Sequence, residues 1–72
     1  MDPKEIFELI VKADEALKYA TEDKGGPRRA RARGFLDEAL AEARAIGDEG
    51  LAAQAEQRLA DLDTLESGTG TA

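Results

Sequence analysis

The chain has 72 residues, 42% hydrophobic and 36% charged, with ten Lys or Arg against sixteen Asp or Glu and a net charge of −6. A chain of that length makes one domain whose own core supplies only about 3–5 kcal/mol. Without cysteine there are no disulfides, and without histidine the commonest zinc ligand and general base are missing. The acidic balance argues against nonspecific binding to nucleic acid or anionic lipid.

No apolar run approaches the roughly 20 residues that span a bilayer, so no membrane association is expected. The opening Met1-Asp2-Pro3-Lys4-Glu5 lacks a basic segment followed by an apolar one, so a cytoplasmic location is expected. The same stretch reads as a helix start. Asp2 is placed to cap, Pro3 has a preset φ at the first helical position, and Glu5 lies three residues after the cap.

Helix 1 is expected over residues 3–22. Ile6, Leu9, Ile10, Ala13, Ala16, Leu17 and Ala20 recur at steps of three and four and form its buried stripe. Glu8, Lys12, Glu15 and Glu22 lie opposite. Glu8 with Lys12 and Asp14 with Lys18 are spaced as i,i+4 ion pairs. Phe7 and Val11 form a second apolar strip about 100–140° around from Ile6, with Tyr19 on the other flank. The strip reads either as the edge of the core or as a partner surface, and these three residues are candidate contacts.

Two glycines and a proline in Thr21-Glu22-Asp23-Lys24-Gly25-Gly26-Pro27 mark a loop, with Pro27 opening helix 2 over residues 27–46. Its stripe is Ala32, Phe35, Leu36, Ala39, Leu40, Ala43 and Ile46. Gly34 lies inside it at a cost of about 1 kcal/mol relative to alanine, which suggests close helix approach. Gly47 is placed as the left-handed residue that ends the helix, and Asp48 as the cap of helix 3.

Helix 3 is expected over residues 49–65, burying Leu51, Ala52, Ala55, Leu59, Leu62 and Leu65 and exposing Ala53, Gln54, Glu56, Gln57, Ala60 and Asp61. Short links make successive helices antiparallel neighbours. The domain is then residues 1–66, and residues 67–72, without a packing side chain, form a disordered tail. The alanine-rich, arginine-preferring second half suggests a GC-rich bacterial source.

No catalytic, cofactor-binding or metal-binding residue is assigned. The one serine, Ser67, has no base beside it, and the adjacent acids Glu22-Asp23, Asp37-Glu38 and Asp48-Glu49 fall on helix surfaces or ends, where they cap and solubilise. No phosphate-cradling glycine loop, dinucleotide fingerprint or calcium-loop spacing occurs. An acyl-carrier comparison fails, because the nearest string, Asp63-Thr64-Leu65, has threonine for serine and closes the last helix.

One segment departs from the general acidity. Arg28, Arg29, Arg31 and Arg33 occur within six residues that hold no acid. Arginines in a first helical turn oppose the helix dipole, so they call for compensation. Arg33 can reach Asp37 at i+4, and the others the acidic end of helix 1 or acids of helix 3. The functional alternative is a docking patch for an acidic segment or a phosphate. Nucleic acid is the weakest reading, since a wide basic face and stacking aromatics are missing.

Ala32-x3-Leu36 followed by Ala39 resembles the second-helix signature of the tetratricopeptide repeat, Ala16-x2-Tyr19 its first-helix signature, and Leu59-Ala60 the Leu-small pair of a following repeat. The resemblance covers most of residues 9–62. Lys12 and Glu15 stand where the repeat has an aromatic and a leucine, Asp63 replaces its second tyrosine, and its terminal proline is absent. The resemblance implies a helical hairpin closed by a third helix and a role in binding a peptide or protein. A microtubule-interacting-and-trafficking-type domain would look much the same. The expected architecture is therefore an all-α, three-helix antiparallel bundle of tetratricopeptide-repeat-like form. The expected function is a non-catalytic protein–protein interaction module. It would bind another protein or a second copy of itself through Phe7, Val11, Tyr19, Arg28, Arg29, Arg31 and Arg33. The alternative is an anion- or nucleic-acid-binding accessory domain using the arginine cluster.

Overall fold

Asp2 and Glu5 open the first helix by closing on each other. The Asp2 N–H donates to the Glu5 carboxylate at 3.3 Å, and the Asp2 carbonyl accepts the Ile6 N–H at 3.0 Å. This is the reciprocal half of a capping box, with Pro3 where its missing N–H costs nothing. The computed structural model describes residues 1–18 and 25–68. Within them lie three α-helices, α1 (Pro3–Lys18), α2 (Gly25–Ala45) and α3 (Glu49–Gly68), and no strand.

The boundaries depart from expectation in three places. Helix α1 is described to Lys18, and residues 19–24, which include Tyr19, lie outside the described residues. Helix α2 begins at Gly25, so Pro27 stands within its first turn. A proline fits there because first-turn N–H groups have no intrahelical acceptor. Helix α3 runs through Gly68, so Ser67 and Gly68 continue the helix and do not begin the tail. Residues 69–72 lie outside the described residues.

The link between α2 and α3 follows from two residues. Gly47 has φ of 73°, the left-handed conformation that side chains with a Cβ resist. Its N–H donates to the Arg44 carbonyl at 3.2 Å, and the Asp48 N–H to the Ala43 carbonyl at 2.8 Å. That pair of bonds is a Schellman motif and satisfies carbonyls the helix end would leave open. Asp48 then caps α3, its carboxylate accepting the Leu51 N–H at 3.0 Å and its carbonyl the Ala52 N–H at 3.0 Å.

The core forms where the stripes meet. Ile6, Leu9, Ile10 and Ala13 from α1, Ala32, Leu36, Ala39 and Ala43 from α2, and Leu51, Ala52, Ala55 and Leu62 from α3 are buried. Ala16, Leu17, Phe35, Leu40 and Leu59 pack half-buried at its edge. Ala20 lies outside the described residues. Ile46 departs from expectation, being 42% exposed, because the helix ends at Ala45 and the turn carries Ile46 off the stripe. Gly34 departs too. A Cβ built there meets nothing within 4 Å, so the glycine faces open space and marks no close approach.

Ion pairs show how the helices run. Arg44 of α2 pairs with Glu56 of α3 at 2.9 Å and Arg33 with Asp63 at 2.6 Å, so rising numbers on α2 meet falling numbers on α3. The N-terminal ammonium lies 3.6 Å from Glu42 at the far end of α2, so α1 and α2 are antiparallel as well. Helix α2 packs extensively against both neighbours, whereas α1 and α3 touch much less. They are joined by Arg58, whose Nε donates to both carboxylate oxygens of Asp14 at 2.9 and 3.1 Å. Asp14, spaced to meet Lys18 on its own helix, is thus also engaged by α3. Each of these exposed pairs contributes about 0–1 kcal/mol, so they choose register more than they add stability. The bundle is flattened, 38 × 21 × 13 Å.

Candidate partner-binding face

The outer face of α1 is built by helical geometry around one exposed aromatic ring. Ile6, Leu9, Ile10 and Ala13 turn inward, which forces the intervening Phe7 and Val11 toward the flank. Phe7 is 48% exposed and Val11 half-buried. Lys4, Glu8, Lys12 and Glu15 surround them and with them line a shallow groove of about 400 Å³. Of the two readings of this strip, core edge or surface, Phe7 falls on the surface side.

A second concavity of about 250 Å³ lies between α1 and α2, lined by Lys12, Glu15, Ala16, Arg28, Arg31 and Phe35. Lys12 and Glu15 belong to both hollows, so the apolar strip and two of the four arginines form one continuous face. Its charged members are Lys4, Lys12, Arg28 and Arg31 against Glu8 and Glu15. A basic excess therefore sits on a molecule whose net charge is −6.

The four arginines separate. Arg33, expected to pair with Asp37, reaches 30 residues along the chain to Asp63 of α3 and so leaves the face. Arg29 is half-buried and lines neither hollow. Arg28 and Arg31 line the cleft and form no ion pair among the described residues. Among the described residues no ion pair compensates the first turn of α2, and that turn holds no acid; Glu22 and Asp23, at the acidic end of helix 1, lie outside the described residues. Glu8 and Lys12, spaced to pair on the helix surface, likewise form no ion pair among the described residues.

Two features of the face escaped sequence reasoning. Phe35 reads as a core residue by its spacing, yet it is half-buried and forms one wall of the cleft. Its position at the edge of the α2 stripe, beside the fully buried Leu36, was the available signal. Lys12 and Glu15 read as solvated surface, and only their place between α1 and α2 turns them into the joint between two hollows.

Elsewhere the polar chemistry is quiet. Among the described residues no side chain is buried with an unpartnered polar atom, and no cluster of three or more Asp or Glu is arranged to hold a metal ion. No helix among them is long and apolar enough to cross a membrane. Comparison with protein-family models, with curated proteins and with solved structures finds no match to this chain, so the face just described carries the functional reading alone.

Proposed function

We propose that this chain is a small, non-catalytic protein–protein interaction module that acts in the cytoplasm, without cofactor or metal. It is a helical hairpin with a closing third helix in the manner of tetratricopeptide repeats. The observation that supports it most is the continuity of the exposed Phe7–Val11 strip with the cleft of Arg28, Arg31 and Phe35. An aromatic ring and arginines around a shallow hollow are the residue types that dominate binding energy at protein contacts.

The test is capture on the immobilised chain, comparing it with Phe7→Ser/Val11→Ser. Loss of the captured protein while helicity by circular dichroism is unchanged is the expected result. Undiminished capture would remove this face from consideration. A second reading, an anion- or nucleic-acid-binding accessory domain, is favoured by one observation: Arg28 and Arg31 pair with no acid among the described residues. Salt separates the two, because a phosphate contact weakens steeply between about 50 and 200 mM salt while an apolar contact barely responds.

A further inference from the structure

The charges on the outer face of α1 follow an order that reads as its own complement. Lys4, Glu8, Lys12 and Glu15 alternate in sign along the helix around Phe7 and Val11. None of the four forms an ion pair among the described residues. At about 100° per residue, Phe7 and Val11 share one flank of this face and Glu8 and Lys12 the other, with Lys4 and Glu15 between them. A two-fold axis between antiparallel helices sets each flank opposite itself. With the crossing near residues 9 and 10, Phe7 lies over Val11 of the second copy, Glu8 against Lys12 of the second copy, and Lys4 against Glu15 of the second copy. Each match falls within about one residue of the same crossing point, a 1.5 Å rise.

We propose that α1 pairs antiparallel with α1 of a second copy of this chain, burying Phe7 and Val11 and closing two sets of charge pairs. This rests on the reading of the face as a protein contact and names its occupant. The same register brings Glu5 of the second copy toward the cleft of Arg28 and Arg31, adding an acid to the Glu15 already lining it. Each of the matched pairs occurs twice by symmetry. The contact spans about three helical turns, below the size of standard stable interfaces, so it is weak, with dissociation at roughly 10–1,000 μM. A domain with a thin core gains from such an association as its concentration rises.

Sedimentation velocity of the full chain from about 10 μM to 1 mM reads the proposal directly. The expected result is a monomer that becomes a dimer across that range. A monomer throughout overturns it, while leaving capture of another protein through Phe7 and Val11 to stand or fall on its own test. Glu8→Lys and Lys12→Glu each place like charges opposite each other twice and are expected to weaken the dimer about tenfold or more. Mixed in equal amounts, the two variants form a heterodimer, and the double variant recovers pairing. A dimer indifferent to these changes uses another face and overturns the proposal.

Register is read by cross-linking, which the absence of native cysteine makes clean. A mixture of Lys4→Cys and Glu15→Cys forms a mixed disulfide under mild oxidation. Lys4→Cys alone does not, because the two copies of position 4 lie about 16 Å apart in this arrangement. Cross-linking of Lys4→Cys to itself would mean parallel pairing and would overturn it. Helicity by circular dichroism accompanies each variant, all of which alter exposed residues.

Discussion

The two ends of α2 treat their backbone and charge in opposite ways. At the C-terminal end the Schellman bonds of Gly47 and Asp48 close the last turn, Asp48 caps the next helix, and Arg44 pairs with Glu56. Each of these groups has its partner a few residues away or on the facing helix. At the N-terminal end no acid stands in the first turn, and Arg28 and Arg31 line an open cleft without an ion pair among the described residues. A helix end completed by its own sequence is devoted to the fold. The other end sets its arginines against the helix dipole, with no acid in its first turn to offset them.

Leu36 lies between the two ends with its side chain fully buried, so it tests whether they share one core. Leu36→Ala is expected to cost about 2–5 kcal/mol, most of what a domain of this size has. Thermal denaturation followed by circular dichroism should show the helices lost together. Survival of one helical pair would mean that the ends fold separately.

At the completed end, changes should only harm. Gly47→Ala forces a Cβ into the left-handed region at a cost of about 1–2 kcal/mol. Asp48→Ala removes the bond to the Leu51 N–H and costs about 0.5–2 kcal/mol in urea denaturation. A neutral result at either position would contradict the account of the link.

The opposite half of α2 should respond with the other sign. Gly34→Ala places a methyl in open space on a helix and is expected to add about 0.5–1 kcal/mol. Arg28→Gln removes a positive charge from the helix start and is expected to add about 0.3–1 kcal/mol at low salt, shrinking as salt screens it. The same change should weaken partner binding. Loss of stability on either substitution would mean that this end is already satisfied, and the contrast between the ends would disappear.

Much of the local structure was legible because its causes are local. The step of three and four in Ile6, Leu9, Ile10 and Ala13 needs only helical geometry to become a buried stripe, and the Gly47-Asp48 pair carries both stop and start in adjacent residues. What failed to show were relations between distant parts. Arg33 has a suitable acid four residues away in Asp37, and nothing in the local spacing favours Asp63 instead. Gly34 looks the same on a crowded face and an open one. Phe35 fits the stripe by period, yet it is only half-buried and walls the cleft between α1 and α2.

By itself the amino-acid sequence determined three helices, the starts of the first and third and the left-handed turn between the last two, since these depend on contacts within a few residues. Only the tertiary structure decided that the arginines divide, Arg33 going to α3 while Arg28 and Arg31 remain beside the Phe7 strip. The reason is that side-chain partners across a bundle depend on how each helix is rotated and tilted against the next. That rotation is set by the packing of all the stripes at once and is written at no single position.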